Sequence, residues 1–138
     1  MSRRIEDEAK AYLIAQWHHA RYTFADTDSS ERGFDLWMKD ECSGDQVKVE
    51  LKATGGEYRK RSDIFQKLYF SARNEVRAFK RGDTRVVRVF LGSKPHKVFL
   101  FDRAVLQDGA RFETEFRAKI VGKVNYSNVT RIDPEGSR

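Results

Sequence analysis

Apolar residues recur at every fourth position near the start of the chain, at Ile5, Ala9, Leu13 and Trp17, with Tyr12 and Ile14 alongside. That spacing predicts an amphipathic helix from Arg3 to about His19. The polar stretch DTDSSERGFD, residues 26–35, reads as a connection whose Gly33 releases the chain into extended structure. The period then changes from four to two. Phe34, Leu36 and Met38 alternate with Asp35 and Trp37, and Val47, Val49 and Leu51 alternate with Lys48, Glu50 and Lys52. With ECSGDQ between them, residues 34–53 are expected to form an antiparallel hairpin turning near Ser43 and Gly44.

Further along, IFQKLYF (64–70) has the look of a short strand. Ser71 is placed to cap a helix running through ARNEVRAFKR (72–81), and Gly82 to stop it. TRVVRVFLG (84–92) and KVFLFD (97–102) read as apolar strands separated by SKPH, followed by a short helical RAVLQDG (103–109). FRAKIVGKV (116–124) reads as a last strand and residues 125–138 as a polar tail, which puts the core at about residues 3–124. Helix, hairpin, strand, helix and two strands in that order predict an α/β or α+β domain, a central mixed sheet flanked by helices.

Composition narrows the partner class. The 138 residues suit one domain, and 39% hydrophobic content with 12% aromatic residues supports a packed core. Twenty-seven Lys and Arg against 21 Asp and Glu leave a net charge of +6, which favours polyanions and makes nucleic acid the leading partner. Cys42 is the only cysteine, so a disulfide framework and a thiolate zinc site are both excluded, and a reduced, cytoplasmic setting is expected. The N-terminal segment lacks the uninterrupted apolar run of an export signal or membrane span, so no membrane association is expected. His18, His19 and His96 lack metal-ligand spacing.

The hairpin carries the candidate chemistry. Side chains two apart on a strand share a face, so Glu50 and Lys52 lie about 6.6 Å apart on the side opposite Val49 and Leu51. Asp35 falls near the same end of the partner strand. Two carboxylates can hold a divalent cation that lowers the pKa of an attacking water, and a neighbouring ammonium group can orient that water or offset charge growing on a phosphate. The competing arrangement of the same three residues is a solvated hairpin face with charges paired across the strands.

GFD at 33–35, followed after fourteen residues by ELK at 50–52, resembles the D…(D/E)xK signature of the PD-(D/E)xK nuclease superfamily. RGFDLWMKD, VKVELKAT, LYFSARNEVRAF and TRVVRVF resemble in order and spacing the segments of the domain found at the C-terminus of the plant NO VEIN protein, a nuclease-like domain also found in bacterial proteins beside helicase-like regions. The similarity spans residues 3–92. Two departures, Phe34 for the usual Tyr and ELK for the frequent EVK, leave the chemistry untouched.

The resemblance implies a restriction-endonuclease-like core and a Mg²⁺- or Mn²⁺-dependent DNA endonuclease acting in defence, restriction or repair. Asp35, Glu50 and the Leu51 carbonyl would ligate the metal and Lys52 would be the catalytic lysine. Superfamily members often add a glutamate from the first helix. Here that would be Glu6, three and seven residues before Ala9 and Leu13 on the buried stripe, although a first-turn acid also complements the helix dipole. Asn74 and Glu75 match the family's NE pair and read as helix N-terminal chemistry. Gln66 is placed either in the pocket or on the surface.

Two basic groups are candidate nucleic-acid contacts. Arg59, Lys60 and Arg61 follow the catalytic strand, with Tyr58 available for base stacking. Arg73, Arg77, Lys80 and Arg81 form a stripe on the second helix, the expected duplex contact. A homodimer or a helicase-like partner would supply specificity. The competing readings are a noncatalytic nucleic-acid-binding module of nuclease fold and a protein-interaction domain.

Overall fold

The computed structural model describes residues 3–71, 73–114 and 117–133. Helix α1 (Arg3–Ala15) is followed by β1 (Tyr22–Asp26), β2 (Leu36–Asp40), β3 (Gln46–Thr54), α2 (Arg73–Arg81), β4 (Thr84–Phe90), β5 (Lys97–Phe101), β6 (Arg111–Thr114), β7 (Ala118–Val121) and β8 (Val129–Arg131). Six strands form one mixed sheet in the order β1-β2-β3-β4-β5-β8, while β6 and β7 make a separate hairpin. β3 and β4 are parallel and the other neighbours antiparallel. The architecture is therefore α+β, and residues 55–83 with α2 carry the crossover between the two parallel strands.

The sheet has a core on each face. On one, Ala9, Leu13 and Trp17 pack against Val49, Leu51 and Ala53 of β3 and Val87 and Val89 of β4. On the other, Phe79 of α2, Ile64, Leu68 and Phe70 pack against Val86, Phe90, Phe99 and Phe101 together with Ala118 and Ile120. Alternation does the sorting: along β3, Val49, Leu51 and Ala53 face α1, so Glu50 and Lys52 face the α2 side.

The hairpin forms as its pattern predicts. Leu36 pairs with Val49 and Met38 with Val47. Gly44 takes φ 81°, the left-handed region open to glycine, and donates its amide to the Asp40 carbonyl at 2.7 Å. Gly82, at φ 82°, ends α2 as expected, and its amide donates to the Phe79 carbonyl.

Five expectations are corrected. Helix α1 stops at Ala15, because the amides of Gln16 and Trp17 both converge on the Tyr12 carbonyl at 2.9 Å; Trp17 still enters the core. The chain then forms β1, an edge strand the periodicity reading passed over, with Tyr22 and Phe24 inward and Thr23 outward. Residues 64–70 are no strand: a 3₁₀ turn at Arg61–Ile64 leads into irregular chain that meets the β6–β7 hairpin through an isolated Phe70–Ala118 bridge. Ile64 and Leu68, four apart, bury the same face, so their apolarity reflects packing rather than pairing. Residues 125–133 are no polar tail. β8 completes the sheet beside β5, Ile132 is 1% exposed, and the Trp17 indole donates to its carbonyl at 2.9 Å. The expected strand at 116–124 shortens to β7, and Phe116 lies outside the described residues.

Candidate metal and phosphate site

Asp35 sits one residue before β2, where Gly33 (φ 87°) has just turned the chain. Its amide donates to the Val49 carbonyl at 2.8 Å, and its Oδ2 accepts the Leu51 amide at 2.8 Å. The carboxylate thus takes over a ladder position where backbone pairing ends, and this locks it beside the middle of β3. Glu50, 5% exposed, is one residue from that anchor, and the two carboxyls come within hydrogen-bonding reach of each other.

Lys52 lies on the same face of β3. Its Nζ stands 3.5 Å from Glu50 Oε2 and 3.1 Å from Glu75 Oε1, and 5.2 Å over the Phe70 ring. Glu75 comes from the first turn of α2. Its carboxylate also accepts the Ser71 amide at 3.0 Å and the Ser71 hydroxyl at 2.7 Å. Ser71 therefore donates to the helix's glutamate instead of capping a helix amide with its own oxygen, and Glu75 joins the site as well as closing the helix end. Asn74 is exposed.

Electrostatics follow from this crowding. Burial, followed by the charges of Asp35 and Glu75, pushes the Glu50 carboxyl up to about 8 against the opposing pull of Lys52. Partial removal from water also raises Glu6, exposed though the residue is as a whole, with Asp35 adding to the effect and Lys52 opposing it. Burial would raise Glu75 too, but its bonds from Ser71 and Lys52 outweigh that and hold it below the ordinary range. A buried acid kept protonated next to a second carboxyl is a donor set that a divalent cation would relieve, because the ion would take the place of that proton.

Asp35, Glu50 and the carbonyl of Leu51 are the groups available for such an ion. Among the described residues, no three His, Cys, Asp or Glu side chains come together as a metal-holding group. The pair alone fits Mg²⁺ or Mn²⁺, which take one or two carboxylates and fill the rest of the shell with water and phosphate oxygens. Glu6 is exposed at the edge of its helix stripe rather than buried against the sheet, and it borders a cleft of about 640 Å³ with Lys52, Thr54, Lys67, Arg88 and Arg117. Asp35 and Glu50 are not on that wall; Lys52 belongs to both groups.

The basic residues divide. Arg73, Arg77, Lys80 and Arg81 are all exposed on α2, whose first turn holds Glu75 beside Lys52, so the stripe runs outward from the site. Arg59, Lys60 and Arg61 are exposed but partly engaged: Arg59 pairs with Glu57 at 3.1 Å, the amides of Arg59 and Lys60 donate to Asp63, and Arg61 lies 4.7 Å over Tyr126. Tyr58 is not free for base stacking. It packs against Phe90 and Phe99 in the core, at ring separations of 5.5 and 4.7 Å.

One group went unread in the sequence. Arg88 is buried in β4 directly across from Lys52, and its signal was a charge inside the apolar run TRVVRVF. Gln66 is exposed, and its carbonyl accepts from Arg88 at 2.8 Å. Cys42 is exposed in the hairpin turn, and His96 packs edge-on against Tyr12, both remote in role from this chemistry. Among the described residues, no helix is long and apolar enough to cross a membrane. Comparison of the chain with protein-family models, curated proteins and solved structures returned no match.

Proposed function

We propose that this chain is a metal-dependent nuclease with a restriction-endonuclease-like core, hydrolysing phosphodiester bonds in DNA. The observation that carries the reading is the carboxyl pair of half-buried Asp35 and buried Glu50 with the Lys52 ammonium 3.5 Å from Glu50, all near one end of the β2–β3 hairpin. The resemblance of GFD and ELK to the PD-(D/E)xK signature, and of the NE segment to the NO VEIN C-terminal-type domain, supports it from the sequence side. A Mg²⁺ or Mn²⁺ ion held by Asp35, Glu50 and the Leu51 carbonyl would supply charge neutralisation at phosphate and a water of lowered pKa.

The chain's own residues do the rest. The Leu51 amide fixes Asp35 in place. Glu50 would give up its proton to hold the cation as a full carboxylate. Glu75 holds the Lys52 ammonium at 3.1 Å, where it is positioned to stabilise negative charge developing on the phosphate oxygens. Glu6, at the mouth of the cleft, adds a carboxylate on the approach. The exposed stripe of α2 binds flanking phosphates by charge alone, without reading sequence. Target choice in cytoplasmic defence, restriction or repair then falls to a second copy or a helicase-like partner.

The test is nicking of supercoiled plasmid by the full chain with Mn²⁺ or Mg²⁺. Cleavage that vanishes on adding a chelator, and in both Glu50→Ala and Asp35→Asn, is the expected result. Salt-dependent DNA binding with no metal-dependent cleavage would instead identify a noncatalytic binding module, and the absence of both would leave a protein-interaction domain.

A further inference from the structure

Arg88 lies in the middle of β4, 2% exposed, with its Cα paired to that of Lys52 on β3. Its Nη2 donates to the Gln66 carbonyl at 2.8 Å, its Nη1 reaches the Lys52 carbonyl at 3.5 Å, and its guanidinium lies 5.2 Å from the Phe90 ring centre. Its Nε has no acceptor, and among the described residues no carboxylate forms an ion pair with it. Burial pulls the guanidinium down to about 10, which still leaves it charged at neutral pH. Buried guanidinium groups are ordinarily matched by a carboxylate, because two neutral carbonyls leave most of the desolvation cost uncompensated.

Open cavities adjoin this cation. Two cavities, of about 640 and 340 Å³, share Arg88, Lys67 and Thr54 as walls. Lys67 is the one non-glycine residue with positive φ (54°) among the described residues, a conformation lysine rarely adopts, and Arg88 grips the carbonyl immediately before it. The acids of the smaller cavity are already engaged, Glu57 with the Arg59 side chain and Asp63 with the amides of Arg59 and Lys60.

We propose that Arg88 and Lys67, with the Thr54 hydroxyl, form a phosphate-binding site at the junction of the two cavities, separate from the carboxyl pair and holding a phosphate of the nucleic-acid strand beyond the bond that is cut. The anion site stands on the buried guanidinium whose Nε has no acceptor and which no described carboxylate pairs with; only the assignment of its phosphate to a nucleic-acid strand rests on the proposed function. Lys52, on the wall of the larger cavity, marks the path from this phosphate to the carboxyl pair.

The experiment is a titration of the isotope-labelled full chain with inorganic phosphate in chelator, followed through the Arg88 Nε–Hε resonance. A saturable downfield shift, absent with chloride at equal ionic strength, is expected. Lys67→Asn, which removes the charge while tolerating the left-handed backbone, should weaken phosphate binding about tenfold with the amide spectrum otherwise preserved. An unmoved Arg88 signal, the same shift with chloride, or unchanged affinity in Lys67→Asn overturns the site and leaves Arg88 as a tie to the 66–67 turn.

Short single-stranded oligonucleotides with and without a 5′-phosphate then compete against inorganic phosphate. Equal competition places an internal phosphodiester there, competition by the phosphorylated strand alone places a strand end, and competition by neither overturns the nucleic-acid assignment. Plasmid cleavage measured in parallel keeps the two ideas apart. Phosphate binding without cleavage removes the nuclease and keeps the site, whereas cleavage without the Arg88 response does the reverse.

Discussion

Replacing Glu50 by Gln should make the metal-free protein more stable at alkaline pH and remove most of the pH dependence of its stability between pH 5 and 9. Glu50 ionises at about 8 in the folded chain, against 4.5 in its ordinary setting, because it is buried beside Asp35 and Glu75. The folded state therefore holds a proton that the unfolded chain has released. The stabilisation is fully present below about pH 4.5 and is lost as pH rises through about 8. At 1.36 kcal/mol for each tenfold change, that displacement sets a ceiling of about 5 kcal/mol, and relaxation around the charge reduces the expected loss to roughly 2–4 kcal/mol.

Gln reproduces the protonated acid, with an amide that can still donate to Asp35. Its stability should stay nearly level where the wild type falls. Urea denaturation of both proteins in chelator from pH 5 to 9 gives the difference directly, and the smaller contribution of Glu6, which has the same sign, cancels because both proteins contain it. Curves that run parallel within about 0.5 kcal/mol would mean that Glu50 is not held protonated, and the crowded carboxyl pair would have to be abandoned. In the wild type, Mn²⁺ should reverse the alkaline loss and release close to one proton per ion when added below pH 8, a release measurable by calorimetry in two buffers.

Other perturbations test the frame around this site. Lys52→Ala leaves Glu50 and Glu75 without their shared cation and should cost roughly 3 kcal/mol at pH 8, with a smaller loss at pH 5 where Glu50 is neutral; denaturation at the two pH values distinguishes this from simple loss of packing. Gly92→Ala would place a Cβ 2.5 Å from the Gly55 carbonyl oxygen and 2.6 Å from that of Gly56, so the loop after β3 must shift, lowering stability by roughly 1–3 kcal/mol in thermal unfolding. Ile132→Ala should cost about 2–5 kcal/mol, where a disordered terminal tail would show no effect. Arg73→Gln and Arg77→Gln on the exposed face of α2 should each reduce the slope of log affinity for duplex DNA against log salt by about one; an unchanged slope would move the duplex contact away from this helix.

The two helices, the 34–53 hairpin and the strands at 84–92 and 97–102 could be read along the chain because each has a strong local period. The site's hairpin half was equally legible: period two alone puts Glu50 and Lys52 on one face, and the turn at Gly44 brings Asp35 to the same end. Strand β1 was legible as well, in the Tyr22 and Phe24 alternation, but its five residues were overshadowed by the polar run that follows. Ile64, Leu68 and Phe70 misled, because an apolar cluster that packs beneath a sheet looks like one that pairs within it.

By itself, the sequence determined the amphipathic faces, the hairpin register and the side of β3 that carries its charges. Only tertiary structure decided that Glu75, twenty-three residues away, would reach Lys52, that Arg88 would be buried without a carboxylate, and that Ile132 would be captured by Trp17 at a separation of 115 residues. Periodicity is a property of neighbouring residues and constrains which way each side chain faces. Which distant faces meet is settled by burying both sides of one sheet at once, a condition on the whole chain that no short window contains.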